Sequence, residues 1–236
     1  GGSRSVNGSA ISVAEGGSLG IHETAAIQNN WKADGNGGAV DISGVDSSVK
    51  MDGGTISGNK AANGAGVHVG SGSAFTMTGG TIKMNVASGN GGCIDVENDD
   101  ENTALSITGK VLSSSNSAQN GGGISVRSSG AGKQGEITLG DDGEDQVTIE
   151  YNWASSSGGG IYTNMAGISM KNMVFSGNAA NQHGGSVYVA GNDVSMEDMF
   201  VGYNRADENG GGIYATGENF SFKSGEIKQN TATNDG

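Results

Sequence analysis

The sequence predicts an all-β chain folded as a right-handed parallel β-helix, a β-solenoid of about eight coils of roughly 26 residues with three short strands per coil. Three observations predict it. An asparagine recurs at a nearly constant interval; apolar pairs and glycine pairs keep step with it; and proline, which would remove a ladder N–H from any sheet, is absent from all 236 residues.

The asparagines are Asn30, Asn59, Asn85, Asn116, Asn152, Asn178, Asn204 and Asn230, at spacings of 29, 26, 31, 36, 26, 26 and 26. Residues 149–163 (IEYNWASSSGGGIYT), 175–189 (FSGNAANQHGGSVYV) and 201–215 (VGYNRADENGGGIYA) share one pattern: apolar-x-x-Asn-x-Ala, a polar stretch, two glycines, a small residue, then apolar-x-apolar. A second apolar-x-apolar pair follows five residues later. The longer spacings coincide with polar insertions at residues 97–102 (ENDDEN), 127–136 and 140–146 (GDDGEDQ). Each apolar segment alternates with period two, none exceeds about five residues, and turn-forming residues separate them, which is strand patterning.

A single coil cannot bury its inward face, so the coils must stack at the sheet spacing of about 4.8 Å. Three inward columns follow. Ile27, Ile56, Ile82, Ile149, Phe175, Val201 and Ile227 form one; Val40, Val67, Ile94, Ile124, Ile161, Val187 and Ile213 the second; Met51, Met77, Ile107, Leu139, Met170, Met196 and Phe222 the third. The marker asparagines are expected to form a ladder, each side-chain amide bonding to backbone and to the amide one coil away. The alanine two residues on points into a crowded corner, and the glycine pairs supply positive φ at the next bend. Residues 1–236 read as one segment of a longer repeat array, with no leader sequence at Gly1.

Charge narrows the function. A net charge of −13 and a pI near 4.4 argue against nucleic-acid binding, which needs a basic footprint. No run of 18 apolar residues is present, so no membrane insertion by this segment is expected. The single cysteine, Cys93, has no internal partner and shares a small-residue column with Ala39, Gly123, Ser186 and Gly212, where it reads as a buried filler.

Phe175-Ser-Gly-Asn178 and Gly37-Gly-Ala-Val40 match the FxxN and GGA(I/L/V) motifs of the chlamydial polymorphic outer-membrane proteins, and the chain resembles their passenger regions. Residues 53–59 (GGTISGN) resemble the arrays of other bacterial surface proteins with pectin-lyase-like β-helix repeats. The resemblance implies an exported, autotransporter-like passenger, extracellular or on the cell surface, with an adhesive role toward a glycan or protein of a host or neighbouring cell.

The candidates for chemistry are few. Pectate-lyase-type catalysis needs clustered carboxylates and a basic residue on one face, but Arg4, Arg127 and Arg205 fall at three different places in the repeat. Asp41, His68 and Asp95 share one outward column and form the best enzyme or metal strip, against the plainer expectation of a solvated ladder. His22, His68 and His183 are expected to be exposed singly. Asp141, Asp142, Glu144 and Asp145 surround a glycine and offer the hard oxygen ligands that suit Ca²⁺, against the plainer expectation of a solvated acidic loop; no other cofactor is expected. Tyr162, Tyr188 and Tyr214, spaced 26 and 26, should stack in one outward column, either as a ligand-binding strip or as a stabilising ladder. Trp31 and Trp153 follow the marker asparagine and should sit over a corner. The expected function is a non-catalytic structural or adhesive segment of an exported bacterial surface protein. The alternative is a carbohydrate-active β-helix, a polysaccharide lyase or hydrolase, whose catalytic coils are reduced or lie elsewhere. Open coil ends with unpaired strand edges allow end-to-end self-association.

Overall fold

The computed structural model describes residues 8–130 and 132–234; Arg4 lies outside them. The chain winds as a right-handed parallel β-helix of about eight coils, and every strand pairing among the described residues is parallel. We number the coils by their marker asparagines, from Asn30 in coil one to Asn230 in coil eight.

One sheet holds eight strands, from Ile11–Ala14 and Val40–Ser43 through Ile161–Thr163 to Ile213–Ala215. A second holds seven two-residue strands, from Lys60–Ala61 to Thr231–Ala232. The third comprises two ladders side by side, joined because Ala74–Lys83 and Ala104–Ser114 run through both without a break. These two strands, of 10 and 11 residues, are longer than the sequence patterning predicted. A further difference lies at the marker corner. The residue after the asparagine and the following alanine, expected at a corner, form a short strand of their own, as in Trp153–Ala154. A full coil such as Ile161 to Ala180 therefore has four short strands where three were expected.

The inward columns lie as predicted through the middle of the stack; at its end Ile227, expected inward, is 50 % exposed because no further coil among the described residues covers it. Met51 pairs with Met77, Ile161 with Val187, and Phe175 with Val201, and these side chains are almost wholly buried. Burial of a side chain of this size contributes about 1.5–3 kcal/mol. Coil four carries no apolar residue in the first column. Ser113 occupies the gap between Ile82 and Ile149, buried, and its hydroxyl accepts from Asn116 Nδ2 at 3.3 Å.

The asparagine ladder is unbroken. In each step the backbone N–H and the Nδ2 of one asparagine donate to the Oδ1 of the next coil; Asn152, for example, gives bonds of 3.0 and 3.1 Å to Asn178 Oδ1. The other Nδ2 hydrogen goes back to a first-column carbonyl of the preceding coil, as from Asn152 to Ser113 O at 3.1 Å and from Asn178 to Ile149 O at 2.9 Å. Both donors and both lone pairs of each interior amide are thus used. Asn59 through Asn204 are buried, whereas Asn30 and Asn230 are partly exposed.

Left-handed backbone occurs at several bends, two of which recur in step with the marker asparagine. The first glycine of each pair has positive φ, for instance 67° at Gly158. The second has a different reason for being glycine: a Cβ on Gly159 would lie 2.3 Å from Gly185 O, so close stacking of backbones excludes a side chain. The other left-handed bend was not foreseen. The residue before each marker asparagine has φ between 52° and 66°, although most of these positions are not glycine: Asn29, Met84, Ser115, Tyr151, Tyr203 and Gln229. Such a conformation costs a non-glycine residue about 1–2 kcal/mol.

The ladder makes position within the stack decisive. Asn152→Ala should strand the backbone N–H and the Nδ2 of Asn116 and the Ser113 carbonyl in the interior, lowering stability by about 3–5 kcal/mol. Asn30→Ala removes one partly exposed bond and should cost about 1 kcal/mol. Urea denaturation of the two variants checks the ratio; equal effects would contradict the ladder's role.

Candidate functional site

Strand register brings the two strips singled out in the sequence into a single column. On the outer face of the eight-stranded sheet, Ser12, Asp41, His68, Asp95, Ser125, Tyr162, Tyr188 and Tyr214 stand directly above one another. Its first half is acidic and imidazole-bearing, its second half aromatic.

The acidic half is not the solvated ladder expected of it. His68 is 3 % exposed and Asp95 is wholly buried. Arg127, two residues beyond the column, donates from Nε to Asp95 Oδ1 at 3.1 Å and from Nη2 to Asp95 Oδ2 at 2.9 Å, and also to Glu97 at 2.7 Å. His68 Nδ1 lies 3.3 Å from Asp95 Oδ2 but lacks hydrogen-bond alignment, and its Nε2 faces Asn36 Nδ2 at 3.2 Å. Asp41 is held by Lys32 at 3.2 Å. Burial pushes the Asp95 carboxyl up, but His68 and the Arg127 guanidinium outweigh it and hold the group below the ordinary carboxylate range. A carboxylate locked into a bidentate pair is a poor general base, so this strip is a structural ion cluster. The exposure expected of His68 is corrected accordingly: the ring is enclosed because Asn36 and the Asp95–Arg127 pair close over it.

The insertions explain how Arg127 is fixed. The 97–102 and 127–136 loops dock on each other. Asp99 Oδ1 accepts from Ser128 Oγ at 2.6 Å, buried Asn98 exchanges bonds with the Gly135 backbone, and Lys133 meets Glu101 at 2.9 Å. Nothing in the residue pattern signals this pairing beyond both loops being polar.

The aromatic half forms a stack. The Tyr162 and Tyr188 rings lie 5.2 Å apart with an interplanar angle of 1°, and Tyr214 follows at 5.8 Å. His183 leans on Tyr214 at 4.6 Å, so it is not the isolated surface histidine expected. The stacked rings cover one another's faces and leave edges and hydroxyls for solvent. Burial, with Tyr188 beside it, pushes the Tyr162 hydroxyl above the ordinary phenol range, keeping it neutral.

A second asparagine row was missed. Asn36, Asn63, Asn90 and Asn120, each just before the glycine bend, are linked through their side chains at 3.0–3.2 Å. Their spacings of 27, 27 and 30 were the available signal. The acidic loop does not converge. Asp142 pairs with Lys171, Asp141 accepts from Gly143 N at 2.9 Å, and Glu144 and Asp145 are exposed. No group of three or more metal-ligating side chains gathers among the described residues. His22 is exposed, paired with Asp52 at 2.8 Å.

Residues 146–164 match the Chlamydia polymorphic membrane protein repeat. The matched stretch spans one copy of each motif, from Ile149-x-x-Asn152 to Gly158-Gly-Gly-Ile161. No curated protein and no solved structure matches the chain.

Asp95→Asn leaves Arg127 without its bidentate partner and should cost about 3 kcal/mol. Because the folded carboxyl titrates below its unfolded value near 3.9, its stabilisation is complete above about pH 4 and is lost as pH falls toward the folded value. The wild type should therefore lose stability more steeply than Asp95→Asn on acid titration followed by circular dichroism. Burial pushes the Cys93 thiol up to about 12, despite its contact with Ser113. The native chain should resist iodoacetamide at pH 8 and be alkylated only when unfolded, as mass spectrometry would record; rapid native labelling would contradict the buried position.

Proposed function

We propose that the chain is a non-catalytic adhesive segment of an exported bacterial cell-surface protein, a rigid acidic rod that holds binding side chains at fixed intervals. The carrying observation is that the motif pair matching the Chlamydia polymorphic membrane protein repeat in one coil recurs in strict vertical register through the others. What that coil resembles, its neighbours share. The repeat's name places its family among membrane-associated proteins, and an autotransporter-like passenger accommodates both the coil stack and its acidic surface.

The carbohydrate-active alternative needs an accessible acid and base on one face. The column best suited to it is closed by Arg127 and Asn36 and engaged in ion pairs. Adhesion needs only exposed, preorganised side chains, which a stacked solenoid supplies with little loss of entropy on binding.

Immobilised chain probed with a glycan array and with intact host cells tests this reading. Retention of glycan or cells without release of product is expected. Shortened oligosaccharides detected by mass spectrometry would favour the enzyme instead.

A further inference from the structure

The left-handed bend before each marker asparagine, together with the first residue of the short strand after it, makes a ridge along one corner of the rod. Counted from coil one to coil seven, the bend residues are Asn29, Gly58, Met84, Ser115, Tyr151, Gly177 and Tyr203. The strand residues beside them are Trp31, Lys60, Val86, Ser117, Trp153, Ala179 and Arg205. Large exposed side chains stand at odd coils and small or flexible ones at even coils: Trp31, then Met84 with Val86, then Tyr151 with Trp153, then Tyr203. The period is two coils, roughly 9–10 Å at the sheet spacing.

These rings differ from the tyrosine stack on the sheet face. Tyr151 is 62 % exposed, and its ring lies across Gly177, since a Cβ there would fall 2.6 Å from Tyr151 Cε1. One face is against backbone and the other is open. At coil one, Trp31 borders a surface depression of about 400 Å³ over Gly58, with Asn29, Asn30 and Lys60 as polar walls. The bend itself argues for selection of these rings. Glycine fills it without strain in coils two and six, yet Tyr151 and Tyr203 are held there at φ of 52° and 60° with most of their surface in water, where they add nothing to the core.

We propose that this ridge binds a neutral β-1,4-linked polysaccharide laid along the rod axis, a reading that rests on the adhesive function above. Open aromatic faces bind the C–H faces of pyranose rings. In a β-1,4 chain each sugar is turned over relative to the last, so the same face recurs at every second residue, close to the two-coil spacing between the rings of coils five and seven; coil three offers Met84 and Val86 in place of a ring. The net charge of −13 disfavours a polyanion. A protein partner would want a continuous apolar surface, but Ser115, Ser117 and Gly177 interrupt this one, and the Arg205–Asp207 ion pair borders it.

The chain's two tryptophans, Trp31 and Trp153, both lie on the ridge, so intrinsic fluorescence reports on it directly. Titration with cello- and chito-oligosaccharides should shift their emission, with affinity rising from dimer to hexamer. The double variant Tyr151→Gly/Trp153→Ala copies what coil six carries at the same positions, Gly177 and Ala179, and should fold with an unchanged melting temperature. It should lose at least tenfold in hexasaccharide affinity by calorimetry, whereas Tyr188→Ser, copying Ser125 of its own column, should bind as wild type. Absence of hexasaccharide binding, or equal binding by the double variant, would overturn the ridge proposal. If cells or other glycans are still retained in that case, the adhesive reading survives; loss of all retention by the wild type would remove both. Loss in Tyr188→Ser alone would move the site to the tyrosine stack and overturn the ridge.

Discussion

The fold depends on one repeated interaction, the amide-to-amide bond between marker asparagines of successive coils. A slip of register by one residue would turn every inward side chain outward, which the apolar columns already oppose, but a slip by two keeps the inward face inward, so something further must specify the register. Each interior asparagine prevents this because its Oδ1 and Nδ2 are filled only when the next amide stands directly above. The alternative to correct register is several unsatisfied buried polar groups, which makes the ladder a device for specificity as much as for stability. It also explains the tolerance for insertions. The spacing from Asn116 to Asn152 is 36 residues, yet the bonds across that step, 2.9 and 3.0 Å, match those across steps of 26. Extra residues leave the stack on the sheet side of the coil and return before the corner.

The repeat was legible where a position is read the same way in every coil. Ile, Val and Met columns, the marker asparagine and its alanine can be aligned from spacing alone. Three features could not be. The left-handed bend carries Asn, Gly, Met, Ser, Tyr and Gln in different coils, so no residue type announces it; it exists because the asparagine N–H must point along the axis to reach the next Oδ1. The short corner strands are two residues long, below the length at which alternation becomes a pattern. The burial of His68 and Asp95 depends on Arg127, which lies where an insertion breaks the period, and an outward column next to an insertion has no fixed solvent exposure that spacing can predict.

One column of the sheet face thus does two different things. Around Asp95 it is closed by a guanidinium and by two interlocked loops, and its charges are spent on each other. From Tyr162 onward it is closed by aromatic stacking, with ring faces spent on ring faces. Both arrangements stiffen neighbouring coils through cross-strand contacts of a few tenths to one kcal/mol each. In a solenoid each coil touches mainly its neighbours, so such ladders distribute stability along the rod rather than concentrating it at one site.

The corner is where the chain departs from this economy of self-satisfied columns. Side chains on the sheet face are drawn into ladders because identical residues there sit within stacking distance. At the corner the alternation of large and small residues defeats stacking: a ring whose neighbour above is Gly177 has nothing to lie against but backbone, and so keeps one face open. A repeat protein that needed only stability would place glycine at every left-handed bend and a small residue beside it, as coil six does. Retaining the strained, half-solvated rings of Tyr151 and Tyr203 runs against stability at each of those positions, and it separates surface that the fold requires from surface that the fold merely carries.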